Sequence, residues 1–117
     1  IVRVSRIEKS ITAKGDALAN RVLTTSEMTK YKTAVNPAAY LAKRFAAKEA
    51  AAKAFGTGIG KISWQDVEIG NTDSGAPTIL CTGSAHELLL ALGGTSVHIS
   101  LSDEDEFAVA FVIISAA

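Results

Sequence analysis

Residues 38–55 read AAYLAKRFAAKEAAAKAF, and this stretch decides how the rest of the chain is arranged. It consists mostly of alanine, lysine and other residues that favour the α-helix, because their side chains lose little freedom there. Asn36 and Pro37 precede it as a cap and a first helical residue, and Gly56 follows it as a stop. We predict one long central helix, followed by the glycine-rich loop GTGIG at residues 56–60, whose backbone a phosphate could approach closely.

Shorter helices are predicted before the central helix. Residues 4–14 carry Ile7 and Ile11 four positions apart and are followed by Gly15, which indicates a helix with a glycine stop. Residues 24–27 read TTSE, which is the pattern of a capping box. In this motif a Thr side chain and a Glu three residues later each bond the other's backbone amide, so a short helix is predicted to begin there.

The second half of the chain has the pattern of a sheet. Residues 62–69 and 78–81 are short β-prone runs around a turn-rich stretch, which predicts a hairpin. A second capping box, SAHE at residues 84–87, predicts a helix. Residues 97–102 alternate apolar and polar side chains, whereas residues 107–114 are almost continuously apolar, as in a strand buried on both faces. Helices first and strands afterwards indicate an α+β fold with an antiparallel sheet.

The 117-residue chain has the composition of a globular protein, with 48% hydrophobic and 21% charged residues. We expect a single domain over residues 1–117. The chain opens at Ile1, inside the apolar pattern IVRVSRI, so we also expect a short native segment before it. A domain this small buries only about 65% of the surface of its unfolded chain, and association of copies would bury further apolar area. Oligomerisation is therefore expected.

Several classes of protein are disfavoured. No apolar run reaches the roughly 20 residues of a membrane helix and no signal-peptide pattern is present, so we expect a cytoplasmic protein without a membrane partner. Cys81 is the only cysteine, and with His86 and His98 as the only histidines the sequence offers no zinc constellation. A metal in this protein would be bound by oxygen atoms.

The net charge of zero hides a division of charge along the chain. Residues 1–61 contain all 12 Lys and Arg with 4 acidic residues, a net of +8, and residues 62–117 contain the other 8 acidic residues. Such a division suggests a surface that meets an anion. The alternative is that helices simply contain the lysines. A nucleic-acid-binding module is another alternative, but the basic half has few aromatic residues and no recognised nucleic-acid motif.

One carboxylate has an unusual position on the central helix. On a helical wheel Glu49 lies only about 40° from Phe45, beside the apolar stripe of Leu41, Phe45 and Ala52. A charge on the packed side costs free energy unless a cation compensates it. The candidates are a bound cation or Lys53, one turn later, and an ordinary surface pair with Lys53 stays open on the pattern alone.

Cations precede and follow this carboxylate. Arg44 and Lys48 are one turn apart, a spacing at which like charges repel, so a bound anion would relieve them. Together with Lys53 they lie close to Glu49 and before the glycine-rich loop. The arrangement suggests a carboxylate for Mg²⁺ among cations for phosphate, although alanine-rich helices often carry scattered lysines.

The stretch YLAKRFAAKEAAAKAFGTGIG, residues 40–60, is similar to FLAxRFAAKEAxxKAxGTGI, a motif typical of holo-acyl-carrier-protein synthases. Four further segments agree in the same order: IVRVSRIE at residues 1–8, RVLTTSE at 21–27, WQDVEIGNTDSGAP at 64–77 and VHISLSDEDEFAVAFVI at 97–113. The chain therefore resembles the bacterial synthase type of the 4'-phosphopantetheinyl transferase family over essentially its whole length.

The resemblance implies a trimeric transferase with a 4'-phosphopantetheinyl transferase-like fold. Such enzymes move the 4'-phosphopantetheine arm of coenzyme A to a serine of apo-acyl carrier protein. They release adenosine 3',5'-bisphosphate, depend on Mg²⁺ and support fatty acid biosynthesis. A catalytically dead scaffold that binds carrier protein without transfer is the remaining alternative.

The resemblance also implies roles for individual residues. Glu49 matches the metal-binding glutamate, and Lys53 matches a lysine that would orient phosphate or help to accept the serine proton. The expected contacts with coenzyme A are Arg44, Lys48, Gly56, Thr57, Gly58, His98 and Ser100. His98 and Ser100 lie on a strand that, in the family's trimer, helps to form the neighbouring subunit's site. The residues expected to dock the acidic carrier protein are Arg3, Arg6, Lys9, Lys14 and Arg21.

Two features depart from the family pattern. The family's second metal ligand is an Asp immediately before the position of Ile1, so we expect an incomplete metal site in this chain. Asp103 stands where many relatives have His, and it is assigned no role. The acidic run at residues 103–106 is expected to be a solvated hairpin tip.

Overall fold

The computed structural model describes residues 1–56, 59–60, 62–94, 96–104 and 106–115. The elements of its first half are β1 (Val2–Arg3), α1 (Val4–Lys14), α2 (Ala17–Val22), α3 (Thr25–Thr33) and α4 (Pro37–Ala54). A 3-10 helix (Trp64–Asp66) leads to β2 (Val67–Asn71), β3 (Pro77–Cys81), α5 (Gly83–Ala91), β4 (Ser96–Asp103) and β5 (Phe107–Ser115). The prediction of helices combined with antiparallel strands is confirmed. No helix within these ranges is long and apolar enough to span a membrane.

The strands form two antiparallel sheets. β2 pairs with β3, which confirms the predicted hairpin. In the other sheet β5 lies between β1 and β4. Val2 lies opposite Ala108 and Arg3 lies opposite Phe107, so the first and last strands are neighbours.

Side-chain caps begin two of the helices, as predicted. At the start of α3 Thr24 N donates to Glu27 Oε1 over 2.8 Å, and Glu27 N donates to Thr24 Oγ1 over 3.3 Å, which completes a capping box. At the start of α4 the side chain of Asn36 accepts a hydrogen bond from Ala39 N over 3.1 Å, with Pro37 as the first helical residue. Both starts satisfy backbone amides that a helix leaves without partners.

Glycines also stand at helix boundaries, one of them predicted after α1 and another not predicted at the start of α5. α1 ends at Lys14, and Gly15 follows it as the cap residue with a φ of 59°, which suits glycine. The capping box predicted at residues 84–87 is wrong, because α5 begins at Gly83 and its cap residue Thr82 makes no side-chain cap bond. Gly83 has φ 52°, and a Cβ there would lie 2.8 Å from Asp66 Oδ1. The close approach of the 3-10 helix thus requires a glycine at this start.

α4 lies at the centre of the molecule. Its first half packs with α1, α2 and α3 in one hydrophobic cluster, and its second half packs with the β2–β3 hairpin, α5 and the β4–β5 pair in another. The small side chains of Ala42, Ala46, Ala47 and Ala51 are buried here. They let neighbouring elements approach the helix closely, so the alanine-rich sequence serves packing as well as helix propensity.

The β4–β5 pair has one packed face and one exposed face. Ile99 and Leu101 on β4 pack in the second cluster, and the residues that alternate with them, His98, Ser100 and Ser102, are exposed, as the alternation predicts. The prediction that β5 is buried on both faces is wrong for the single chain, because Phe111 is 69% exposed and Ile113 is 54% exposed. Phe111 pairs with the exposed Ser100, and cross-strand partners share a face, so the exposed apolar side chains lie on the outer face.

Candidate active site

The two residues predicted to carry the chemistry lie near the end of α4. Glu49 is half-buried, and Lys53, one turn later, is exposed. The two side chains form no ion pair, and Glu49 makes no hydrogen bond or ion pair with any residue that the structure describes. The alternative of a surface pair between them is therefore not realised. A carboxylate partly withdrawn from water and left without a protein cation is suited to a metal ion.

The glycine-rich loop begins directly after α4. Phe55 N donates to Ala51 O over 3.0 Å, and Gly56 N donates to Lys53 O over 2.9 Å. The amide of Gly56 is therefore used by the helix, and its φ of 81° explains why glycine stands there. The other two predicted loop contacts, Thr57 and Gly58, lie outside the described residues.

Lys48 lies in the core and not in an open site. Its side chain is fully buried, and Nζ donates to Glu27 Oε1 over 2.6 Å, to Val22 O over 2.7 Å and to Trp64 O over 3.0 Å. An ammonium group has three donors, so none remains for a phosphate. This geometry contradicts the prediction that Lys48 contacts coenzyme A.

Glu27 is the counter-charge of Lys48, a role that the sequence reasoning missed. Glu27 is 2% exposed. In addition to Lys48, its Oε1 accepts from Thr24 N over 2.8 Å and its Oε2 accepts from Ile69 N over 2.7 Å. Burial lowers the pKa of the Lys48 ammonium, while the hydrogen bond and charge of Glu27 act to raise it. The ion pair therefore joins α3, α4 and β2 inside the protein.

Arg44 is buried as well. Its guanidinium lies 4.0 Å from the ring centroid of Tyr40, and Nη2 donates to Asn71 Oδ1 over 3.0 Å. Only 4% of the residue is exposed, and Nε has no hydrogen-bond partner among the residues with described positions. The structure thus gives Arg44 an aromatic ring and an amide as partners, and its contact with a phosphate of coenzyme A stays a prediction.

The predicted contacts on β4 lie away from Glu49 within one chain. His98 and Ser100 are exposed on the outer face of the β4–β5 pair, and α4 packs against the inner face. His98 Nε2 lies 3.1 Å from Ser96 Oγ and 3.3 Å from Ser115 Oγ. A single chain therefore does not bring these side chains together with Glu49.

The basic residues predicted to dock a carrier protein are accessible. All of them are exposed: Arg3, Arg6, Lys9, Lys14 and Arg21. Arg3, Arg6 and Lys9 follow at intervals of three residues at the start of α1, and the buried residues of this helix are Val4 and Ile7. The guanidinium of Arg3 lies 5.1 Å from the ring centroid of Phe107, the β5 residue opposite Arg3. The start of α1 therefore presents cations to solvent.

No group of three or more His, Cys, Asp and Glu side chains that could hold a metal occurs within the described ranges. Asp103, at the end of β4, forms an ion pair with Lys43 on α4, with 3.5 Å between Oδ1 and Nζ. A metal at Glu49 would therefore need further ligands from a bound molecule or from other residues. Mg²⁺ commonly binds in this way, through one or two carboxylates and substrate phosphates.

Comparison with known proteins identifies the family. A sequence model of the 4'-phosphopantetheinyl transferase superfamily matches residues 1–112. A holo-[acyl-carrier-protein] synthase of Shewanella sp. (strain W3-18-1) is 53% identical over 115 residues, which cover 97% of this chain and 91% of the relative. The crystal structure of the Neisseria meningitidis holo-[acyl-carrier-protein] synthase superposes with a TM-score of 0.90 at 40% identity, covering 97% of this chain and 92% of that one. The Helicobacter pylori synthase in complex with coenzyme A gives 0.84 at 31% identity, covering 97% and 95%.

The chain belongs to the 4'-phosphopantetheinyl transferase superfamily. The resemblance inferred from the sequence is thereby confirmed, as is the prediction that this protein is a transferase.

Proposed function

We propose that this enzyme is a holo-acyl-carrier-protein synthase, which transfers the 4'-phosphopantetheine arm of coenzyme A to a serine of apo-acyl carrier protein. The similarity to the Shewanella synthase over 97% of the chain is the observation that carries this proposal. The coenzyme A in the Helicobacter pylori complex supports the donor substrate. The reaction would release adenosine 3',5'-bisphosphate and support fatty acid biosynthesis, in the cytoplasm.

Mg²⁺ is the cofactor that fits Glu49. The carboxylate is half-buried and has no partner among the residues described. When bound, Mg²⁺ would neutralise charge on the pyrophosphate oxygens of coenzyme A. Glu49 would hold the ion, and phosphate oxygens of the donor would complete its coordination.

The register of β1 supports a second carboxylate near Glu49. Val2 lies opposite Ala108, so a residue directly before Ile1 would lie opposite Ala110 if β1 continued along β5. Side chains alternate along a strand, so that residue would share the face of the buried Val2. This is the face against which α4 packs. An Asp at that position, which the family resemblance implies, would point towards the helix that carries Glu49.

The transfer needs no nucleophile from this chain. The serine oxygen of the carrier protein forms a bond to the β-phosphorus of coenzyme A, and the bond from that phosphorus to the bridging oxygen breaks. The bisphosphate leaves with the bridging oxygen, and the serine proton passes to a base. The exposed side chain of Lys53, one turn beyond Glu49, would bind phosphate oxygens and orient them as an ammonium, or help to accept that proton as a neutral amine. Residues 56–58 would line the same donor.

The outer face of β4 and β5 would form the interface of a trimer. Phe111 and Ile113 are more than half exposed beside His98 and Ser100. Exposed apolar side chains grouped in this way are typical of an interface. His98 and Ser100 would then contact the coenzyme A bound by the neighbouring subunit, which accounts for their distance from Glu49 of their own chain.

The acidic carrier protein would dock against the cations at the start of α1 and beside it. These cations are all exposed: Arg3, Arg6, Lys9, Lys14 and Arg21. Charge complementarity of this kind speeds association and makes it sensitive to salt. No membrane or nucleic-acid partner is proposed.

An intact-mass assay tests the function directly. Full-length enzyme, apo-acyl carrier protein, coenzyme A and Mg²⁺ should yield carrier protein heavier by one phosphopantetheine arm. Glu49→Ala should abolish this gain and keep the fold, because alanine favours helices. The exposed Glu87 of α5 provides a matched carboxylate, and Glu87→Ala should transfer normally.

Two results would contradict the proposal. Active, folded full-length enzyme that binds carrier protein and never modifies it would be a scaffold. Full transfer by Glu49→Ala would remove Glu49 from the metal site.

A further inference from the structure

Arg44 and Lys48 are buried cations of α4, one turn apart, and they differ in their counter-charges. Lys48 forms an ion pair with Glu27, with 2.6 Å between Nζ and Oε1. Arg44 forms no ion pair with any carboxylate in the part of the chain that the structure describes. A buried charge without a counter-charge costs free energy, and so does a buried donor such as Arg44 Nε without an acceptor. An anion bound at Arg44 would lower both costs.

Two neutral groups hold the guanidinium of Arg44. It lies over the ring of Tyr40, with 4.0 Å from Cζ to the ring centroid. Asn71, the last residue of β2, accepts a hydrogen bond from Nη2 over 3.0 Å. Asn71 is exposed, so the end of the guanidinium that bonds to it lies next to the surface. An anion can therefore approach Arg44 beside Asn71.

Tyr40 and Asn71 are themselves fixed by backbone carbonyls. The hydroxyl of Tyr40 donates to Glu27 O on α3 over 3.2 Å. Asn71 Nδ2 donates to Gly75 O, across the turn that joins β2 to β3, over 3.1 Å. The guanidinium of Arg44 thus has one defined position between the central helix and this turn.

Neutral partners orient a cation without cancelling its charge. A carboxylate in the place of the Asn71 amide would also hold the guanidinium, but it would remove the attraction for a second anion. An arginine binds phosphate through a rigid, planar set of N–H groups, so the direction of these groups decides how well the phosphate fits. The contacts of Arg44 therefore suit a phosphate site better than a purely structural link.

We propose that Tyr40 and Asn71 are positioning residues for the transfer: they hold the guanidinium of Arg44, with its positive charge available, for a phosphate of coenzyme A. The proposal rests on the proposed function. Tyr40 and Asn71 act through Arg44 and do not touch the donor. Arg44 and Glu49 lie about 7.5 Å apart along α4 and about 140° apart around it. Coenzyme A carries a 3'-phosphate as well as its pyrophosphate, and the experiment below distinguishes the two.

Two substitutions of Asn71 in full-length enzyme test the orientation and the charge. Asn71→Ala removes the acceptor of Arg44 and should weaken equilibrium binding of coenzyme A with Mg²⁺ by about threefold. Asn71→Asp places a carboxylate beside the guanidinium and should weaken binding more, by about tenfold. Both changes remove the bond to Gly75 O, so a residue that served only the turn would give equal losses. Equal losses, or binding as in the parent enzyme, would overturn the proposal.

Two substitutions of Tyr40 separate its ring from its hydroxyl. Tyr40→Leu removes the ring below Arg44 and should raise KM for coenzyme A by about three- to tenfold. Tyr40→Phe keeps the ring and should raise it by less than about twofold. At saturating coenzyme A, kcat should change little in either variant, because Glu49 and Lys53 are untouched. An unchanged KM in Tyr40→Leu, or a loss confined to kcat, would contradict positioning of Arg44.

The same titrations with 3'-dephospho-coenzyme A identify the phosphate that Arg44 binds. If the variants bind this donor as well as the parent enzyme does, Arg44 meets the 3'-phosphate. If their deficit is as large as with coenzyme A, Arg44 meets the pyrophosphate. Either result supports the proposal.

Ile7→Ala is the control for a general loss of stability. Ile7 is buried in α1, away from the contacts of Arg44. Its substitution should lower stability and leave coenzyme A binding unchanged, and a deficit as large as that of Tyr40→Leu would count against positioning. If the parent enzyme binds coenzyme A and never modifies carrier protein, the proposed function is rejected, whereas the binding measurements still test the positioning. A parent enzyme that does not bind coenzyme A rejects both.

Discussion

Lys48 and Lys53 stand five residues apart on α4 and have opposite environments. Lys48 is 0% exposed and donates to three acceptors, whereas Lys53 is exposed and makes no ion pair with any described carboxylate. Five residues turn a helix by about 140° beyond a full turn, which is enough to carry one side chain into the core and the other to the surface. The inner side of α4 thus uses charge to hold the fold, and the outer side keeps charge available for a ligand.

The difference between the buried Lys48 and the exposed Lys53 predicts its largest effect on the stability of the protein. Lys48→Met should lower the free energy of unfolding by about 3–5 kcal/mol, because it leaves the carboxylate of Glu27 buried without a counter-charge. Lys53→Met should change it by less than about 0.5 kcal/mol, as is usual for an exposed position. Urea denaturation of both variants measures the difference. Equal losses would show that the two sides of α4 do not differ in the way that the contacts indicate.

A smaller effect is expected at the caps. Thr24 caps α3, and its Oγ1 also donates to Glu68 Oε1 over 2.6 Å, so Thr24→Ala should cost about 1–2 kcal/mol of stability. Thr82 precedes α5 without a side-chain cap bond, and Thr82→Ala should cost much less. Thermal unfolding of the two variants provides the measurement. A similar loss from Thr82→Ala would mean that α5 depends on its preceding residue after all.

Much of the fold followed from local sequence signals. The capping box at Thr24, the Asn36 cap and the glycine after α1 depend on neighbouring residues alone, and all of them were predicted. The start of α5 was not, because Gly83 is required by its contact with Asp66, 17 positions earlier in the sequence. The exposure of Phe111 was also missed, because an apolar run does not show whether its outer face is covered by its own chain.

The site was only partly predictable for a related reason. On a helical wheel Lys48 lies about 20° from Leu41 and Glu49 about 80°, so Lys48 was the charged residue nearer the apolar stripe and could have been recognised as buried. Its partner Glu27, 21 positions away in sequence, is brought close only by the packing of α3 against α4. Family resemblance supplied the expectations for Glu49 and Lys53 that helical periodicity alone left open.

The smallest expected effect concerns Cys81, at the end of β3, where burial again changes the chemistry of a side chain. The thiol is half-buried, and burial raises its pKa, because the thiolate loses hydration. A raised pKa leaves less thiolate at pH 8, so iodoacetamide should alkylate Cys81 more slowly in the folded protein than in urea. Raising the pH should increase the alkylation rate of the folded protein without reaching a plateau near the ordinary thiol pKa.

Mass spectrometry of the alkylated chain follows the reaction, with free cysteine as the control. Equal alkylation rates for folded and unfolded protein would show that partial burial does not lower the reactivity of the Cys81 thiol. The effect of burial on side-chain chemistry would then be restricted to the buried side of α4.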